Sequence, residues 1–165
     1  MTRLLGIDLG ERRIGLALAE VDGSSARPLA TLRRGRDLDS DVAALRAVVD
    51  AEAIDELIVG LPLEASGTEG PQATLTRAWA TEIERRLAIP VGYRDERLSS
   101  HLAETRLGPM KRGRSGGPPS KTQRDAYRAR VDREAAAIIL QDELDTRAGI
   151  RSSMPRTPDS QESSR

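Results

Sequence analysis

Three acidic residues set far apart in the chain, Asp8, Glu96 and Asp132, are the side chains best placed by type and spacing to do chemistry. Asp8 lies at the end of an apolar run, Leu4-Leu5-Gly6-Ile7-Asp8-Leu9-Gly10. Glu96 follows a second run, Pro90-Val91-Gly92-Tyr93, within Asp95-Glu96-Arg97-Leu98-Ser99-Ser100. Asp132 opens the apolar part of a helical stretch, Val131-Asp132-Arg133-Glu134-Ala135-Ala136-Ala137-Ile138-Ile139-Leu140. Carboxylates at strand ends and on the inner side of a helix are costly to bury unless paired or bound to a cation. Their oxygens suit hard divalent ions such as Mg2+ or Mn2+. Clusters of this kind serve two-metal nucleases, which activate water and steady a departing oxygen.

Each residue also has a plainer reading. On an extended strand Leu5, Ile7 and Leu9 point one way and Leu4, Gly6 and Asp8 the other, so Asp8 falls on a face that helices should cover. It could instead be a turn aspartate that caps a hairpin before Gly10. Glu96 stands in the charged run Arg94-Asp95-Glu96-Arg97, where a surface role is the simple alternative and Asp95 competes as a ligand. Asp132 has Ala135, Ala136 and Ile139 at helical spacings, which places its carboxylate on the packed side. Its alternative is a buried partner of an arginine, Arg128 or Arg133. His101 is the only histidine, and a surface position on a short helix fits it better than a catalytic one. Gly60-Leu61-Pro62-Leu63 and Gly67-Thr68-Glu69-Gly70-Pro71 either bring backbone N–H groups to a phosphate at a helix start or form a tight turn.

The elements that must carry these residues follow from periodicity. Strands are predicted at Arg3–Leu9 and Arg13–Ala19, joined as an antiparallel hairpin by Gly10-Glu11-Arg12. A third strand is predicted at Pro28–Arg33. A helix capped by Asp39 or Ser40 should run to about Ala51, with Val42, Leu45, Val48 and Val49 as its apolar stripe. Leu57-Ile58-Val59 reads as a buried strand. Pro71 starts the next helix, whose inner face is predicted to hold Leu75, Ala78, Trp79, Ile83 and Leu87. Pro90–Arg94 is the fifth strand. A short helix should begin at Ser99 or Ser100 and stop near Gly108-Pro109. A Gly- and Pro-rich loop, residues 113–120, precedes a last helix from about Thr122 to Arg147, with Gly149 as its stop. Helices alternating with strands imply parallel pairing and the hairpin implies one antiparallel strand. The order predicts an α/β, ribonuclease H-like fold: a mixed five-stranded sheet with helices on both faces. One domain is expected over residues 1–149. Residues 150–165, rich in Ser, Pro and charge, are expected to be a disordered tail.

Composition narrows the partners. With 165 residues and no cysteine, the chain can build one real core but no disulfide or thiolate zinc site. No run approaches the roughly 18 apolar residues of a membrane span, and no signal peptide precedes Asp8, so a cytoplasmic location is expected. Lys+Arg and Asp+Glu number 26 each, so net charge selects no partner. Its distribution does: Lys111, Arg112, Arg114, Lys121, Arg124, Arg128 and Arg130 face only Asp125. That segment could neutralise phosphates, or be a solvated loop and helix face. Trp79, Tyr93 and Tyr127 are the only aromatic residues, too few for a base-stacking sheet.

The chain resembles the YqgF family, whose members are described as Holliday junction resolvases and nucleases of pre-16S ribosomal RNA. The resemblance spans roughly residues 3–145. It rests on Gly6-Ile7-Asp8-Leu9-Gly10, Arg13-Ile14-Gly15-Leu16-Ala17, Val59-Gly60-Leu61-Pro62-Leu63, Gly67-Thr68-Glu69-Gly70-Pro71-Gln72-Ala73, Asp95-Glu96-Arg97-Leu98-Ser99-Ser100, and Asp132 with Ala135-Ala136 and Ile139-Leu140-Gln141. It implies that Asp8, Glu96 and Asp132 are the catalytic and metal-binding acids of a phosphodiester hydrolase, with Mg2+ or Mn2+ as cofactor. RNA or DNA and a ribosome precursor would be its partners, and the chain a monomer or homodimer. Two departures stand out. Glu11 replaces a small or threonine-like residue after Gly10, and Ala129 stands where related resolvases carry a fourth acid. Two other classes compete: a nucleic-acid- or ribosome-associated binding protein with a vestigial acidic cluster, and a phosphate-binding domain of the actin-like ATPase type. The latter needs two domains, and 165 residues hold one.

Overall fold

The computed structural model describes residues 1–23 and 25–153. β1 (Arg3–Leu9) and β2 (Arg13–Glu20) form the hairpin, and β3 (Arg27–Arg33) continues it antiparallel. β4 (Glu56–Leu61) and β5 (Val91–Asp95) add parallel strands on the other side of β1, giving the order β3-β2-β1-β4-β5. Four helices connect or cover them: α1 (Leu38–Glu52), α2 (Pro71–Leu87), α3 (Ser99–Leu107) and α4 (Lys121–Ser153). This is the α/β, ribonuclease H-like architecture read from the element order.

Strand alternation divides the core. Leu5, Ile7, Leu16, Leu57 and Val59 pack on one face against Leu45 and Val49 of α1 and Trp79 and Ile83 of α2. Leu4, Ala17, Ala19 and Ile58 pack on the other against Ala136, Ala137, Ile139 and Leu140 of α4. Each fully buried Leu or Ile contributes about 2 kcal/mol of transfer free energy. Asp8 is on the α4 face, as the alternation requires.

Glycines let α4 lie low on the sheet. A methyl group on Gly6 would come within 2.8 Å of the Ala136 carbonyl and of Leu140 Cβ, and one on Gly15 would overlap the Asp132 carbonyl. Strand interiors rarely hold glycine unless another backbone approaches closely. Here that backbone is the helix carrying Asp132.

Three local expectations change. The cap of α1 is Asp37, whose side chain accepts a hydrogen bond from the Ser40 amide at 2.9 Å, not Asp39 or Ser40. Leu75 and Ala78 of α2 are exposed; the buried stripe is Ala73, Thr76, Trp79, Ala80, Ile83 and Leu87. Thr76 is polar, which hid the true phase of that stripe. Gly149 does not end α4, which continues to Ser153: its backbone stays out of the left-handed region a glycine stop uses, and glycine inside a helix costs only about 1 kcal/mol. The expected tail lies outside the described residues from 154 onward. No described helix is long and apolar enough to cross a membrane.

Candidate active site

Asp8 and Glu96 meet at one end of the sheet, where β1, β4 and β5 finish, and Asp132 stands near Asp8 on α4. Asp8, near the end of β1, pairs in register with Gly15 of β2. The parallel register of β1 with β4 reaches Ile7 opposite Val59, so Gly60 follows beside Asp8. Asp8 is therefore flanked by two glycines across the sheet. Above Gly15 lies the backbone of Asp132; above Gly60 lies the carboxylate of Glu96, with Oε2 only 2.5 Å from where a methyl group would sit. The missing side chains make the floor on which the other two acids rest.

Glu96 is held there by its backbone. Its amide donates to the Leu61 carbonyl at 3.1 Å, prolonging the β4–β5 pairing by one step. Its carbonyl accepts from the Ser99 amide at 2.9 Å and the Ser99 hydroxyl at 2.8 Å. Leu98, between them, is in the left-handed region at φ 80° and starts α3. A non-glycine residue in that region stores strain of order 1 kcal/mol, and such strain collects at functional sites. The neighbouring Asp95 turns to Arg97, accepting from its amide at 2.9 Å and its Nε at 2.8 Å.

Electrostatics mark Asp8 and Glu96 as one unit. Burial is the largest influence on both, and it penalises the charged form. It raises Glu96 from its ordinary 4.5 to about 9, with help from the nearby Asp8 and Asp95 charges and the hydrogen bond to Asp8. Burial and the Asp132 charge raise Asp8 to about 6, against the lowering effect of the hydrogen bond from Glu96. At neutral pH Glu96 is the protonated partner, and Asp8 accepts its hydrogen bond. Glu96 Oε2 is buried and has no hydrogen-bond partner. An orphaned carboxylate oxygen is costly unless something arrives to satisfy it.

Asp132 is close enough to raise Asp8, but its own carboxylate is engaged: Arg13 Nε donates to its Oδ2 at 2.5 Å. The partner is thus neither Arg128 nor Arg133 but an arginine at the start of β2. Among the described residues no three His, Cys, Asp or Glu side chains converge tightly enough to enclose an ion. The donor chemistry nevertheless fits a hard divalent cation. Two carboxylates share a proton, one oxygen is unsatisfied, and a third carboxylate is held alongside by a neutralising guanidinium.

A groove of about 520 Å3 runs past Glu96, between Leu9 and Gly10 on one wall and Gln72, Leu75 and Thr76 of α2 on the other. The predicted basic residues sit apart from the acids. Lys111, Arg112 and Arg114 are exposed on the loop between α3 and α4, and Lys121, Arg124 and Arg128 on the first two turns of α4. The loop is anchored where the Tyr127 hydroxyl donates to the Gly108 carbonyl at 2.8 Å. Lys121 lies 3.6 Å from Asp125 and Arg124 donates to the Pro119 carbonyl, while the other four have no carboxylate partner among the described residues. His101 is exposed on α3.

The family described as RuvX, Holliday junction resolvase, matches residues 2–146. The chain belongs to that family. A protein of Anaeromyxobacter dehalogenans named as a candidate pre-16S rRNA nuclease is 44% identical over 146 residues, covering 88% of this chain and 98% of the relative. One of Paramagnetospirillum magneticum with the same name is 39% identical over 152 residues, covering 90% and 88%. Thermus thermophilus RuvC, solved in complex with a Holliday junction substrate, superposes with a TM-score of 0.51 at 16% identity, covering 90% of this chain and 97% of RuvC. That likeness speaks for the ribonuclease H-like fold.

Arg13, Gly15 and Gly60 are the site residues that the acids alone did not reveal. The signal for the glycines was present, since both interrupt otherwise apolar strands. Arg13 stood in the motif Arg13-Ile14-Gly15-Leu16-Ala17, but nothing there linked it to Asp132, 119 positions away.

Proposed function

We propose that this RuvX-family chain is a divalent-metal-dependent nuclease that hydrolyses phosphodiester bonds, with pre-16S rRNA or branched DNA as substrate. The observation that carries the reading is the Asp8–Glu96 pair: two partly buried carboxylates pressed into one hydrogen bond, with Glu96 Oε2 unsatisfied. No packing requirement explains such a pair, and a cation relieves it. Asp8, Glu96 and Asp132 are the proposed ligands and catalytic acids, with Mg2+ or Mn2+ as the ion. Bound there, the ion supplies Lewis acidity, making a water nucleophilic at neutral pH and offsetting charge on the departing oxygen.

The protein's own groups do the rest. Glu96 would give up its shared proton to serve as a ligand. Asp132, held beside the pair by Arg13, would be the third ligand, and the Arg13 guanidinium would face an approaching phosphate. Lys111, Arg112, Arg114, Lys121, Arg124 and Arg128 neutralise backbone phosphates away from the scissile bond, a role without sequence preference.

The test is a cleavage panel of ribosomal RNA precursor, four-way junction and single strands, each with Mg2+ and with Mn2+. Cleavage is expected in at least one arm and should be lost in Asp8→Asn, which keeps shape but removes a charged ligand. Asp8→Asn should still bind, or bind more tightly, because a negative charge facing the phosphates has gone. Cleavage that persists undiminished in Asp8→Asn overturns the metal-site assignment. Binding without cleavage in every arm would leave a nucleic-acid-binding protein.

A further inference from the structure

Beside the acids and the basic loop lies a second concave surface, whose Arg12 and Arg33 have no part in the account so far. It is a cleft of about 500 Å3 between the turn of the β1–β2 hairpin, the end of β3 and the start of α4. Arg12, Arg13, Arg33, Arg34 and Lys121 line it. Glu11 and Asp125 are its acidic groups.

The arginines are placed against their own repulsion. Arg13 and Arg33 are register partners on β2 and β3, directly opposite and on the same face. Arg12 and Arg34 are tied side by side, the Arg34 amide donating to the Arg12 carbonyl at 2.9 Å. Like charges opposite one another on a sheet are destabilising. Anchoring offsets part of this cost. Arg13 is held by Asp132, and Arg34 by the buried Asp41 at 3.3 Å and by the Gly10 carbonyl at 3.1 Å. Arg12 and Arg33 have no such partner among the described residues, and both are exposed. Two rigidly held guanidiniums thus stand beside two free ones.

The walls say what kind of anion fits. No aromatic residue lines the cleft, and Leu32 and Ala129 are its only apolar side chains. A base or a mononucleotide would find nothing to stack on. Phosphate oxygens, by contrast, match the planar fork of an arginine. One wall is also shared with the acidic cluster, because Arg13 reaches both the cleft and Asp132.

We propose that this cleft is a groove for the phosphodiester backbone of a nucleic-acid strand, in which Arg12 and Arg33 hold phosphates flanking the one presented to Asp8, Glu96 and Asp132. The inference rests on the nuclease reading and deepens it. It assigns the hairpin side of the sheet, not only the loop before α4, to substrate, and makes Arg12 and Arg33 positioning residues.

The experiment is binding of a fluorescent single-stranded RNA and of a four-way junction in EDTA, from low to moderate salt, by the full chain and by R12Q/R33Q. Removing two phosphate contacts should lower the slope of log affinity against log salt by about 1.4 for the single strand and about 1.8 for duplex arms. Affinity at low salt should fall by about tenfold or more. R85Q, which removes a guanidinium from the exposed surface of α2, should change neither. A melting curve for R12Q/R33Q at or above that of the parent is expected, since two unpaired like charges have been removed. Unchanged affinity and slope in R12Q/R33Q overturns the groove, and if the parent still cleaves, the nuclease reading survives that loss. If the parent neither binds nor cleaves any nucleic acid, the nuclease reading itself falls, and the groove with it. Competition by adenosine monophosphate as effective, per mole, as that by the oligonucleotide would also overturn it, in favour of a mononucleotide site.

Discussion

A proton shared by Asp8 and Glu96 gives the metal-free protein an inverted response to pH. Both groups titrate above their ordinary values, Glu96 at about 9 and Asp8 at about 6. From about pH 4 to 9 the folded state therefore holds protons that the unfolded chain has released. Stability falls with rising pH across that window, because unfolding releases protons there. A carboxylate whose pKa is lowered by pairing does the reverse. Glu96→Gln puts an amide donor where the protonated acid stood. In EDTA its melting temperature should exceed that of the parent above pH 8, and its pH profile should be flatter. Parallel profiles for the two proteins would mean that the pair does not share a proton. Asp132→Asn should move the other way, losing about 1 kcal/mol, because it takes a partner from Arg13 in a bridge that solvent partly screens. The contrast shows what sequence could tell at this scale. Each acid was legible from its place at a strand end or on a helix face. The difference between an acid crowded by an acid and an acid neutralised by an arginine was not. That difference depends on which side chain arrives from β2, and no periodicity in the sequence records it.

The elements position the acids through close approach rather than through side-chain bonds. α4 crosses β2 at Gly15, and Glu96 settles over Gly60. Gly15→Ala is expected to push Asp132 and its helix off the sheet, with a cost of about 2 kcal/mol from overpacking against backbone that cannot yield. Gly60→Ala meets the ends of two side chains, Glu96 and Ile139, so it should cost less stability but displace the Glu96 carboxylate from Asp8. Cleavage assays beside thermal melts separate the two outcomes. If Gly60→Ala is as active and as stable as the parent, the glycine floor is not what holds the pair. Strand alternation, the glycine-rich turns and the proline at the start of α2 made the five strands and four helices readable. The inner face of α2 was misread because the helix turns a threonine inward and leaves Leu75 outside, beside the groove that passes Glu96. The α4 boundary was misread because a glycine near a helix end is permission to stop, not an obligation. Amphipathic patterns report the average face of a helix. They lose the phase where burial is settled by local partners, such as the buried Asp41 that accepts from Trp79 Nε1 at 3.2 Å.

Across the whole sequence acids and bases are equal in number, 26 of each. Among the described residues Asp8 and Glu96, at the ends of β1 and β5, have no cation in an ion pair, and Arg12, Lys111, Arg112, Arg114 and Arg128, on the hairpin turn, the loop before α4 and the start of that helix, have no carboxylate partner. A strand of nucleic acid bound to those bases would bring its own negative charge to Asp8 and Glu96, which is unfavourable until a cation intervenes. Metal binding, deprotonation of the pair and productive substrate binding are therefore expected to be linked. The simplest measurement is the melting temperature with and without Mn2+. A free ion concentration about a hundred times its dissociation constant should add about 2.7 kcal/mol to stability. For a domain of this size that is a rise of about 5–10 °C. The increment should be larger at pH 8 than at pH 6, because protons compete with the ion for Asp8 and Glu96. It should vanish in Asp8→Asn and shrink in Glu96→Gln, even though Glu96→Gln starts from a higher melting temperature in EDTA. An equal rise with Mn2+ in the parent and in Asp8→Asn would mean that the ion binds elsewhere, and the acidic pair would need another explanation for its unsatisfied oxygen.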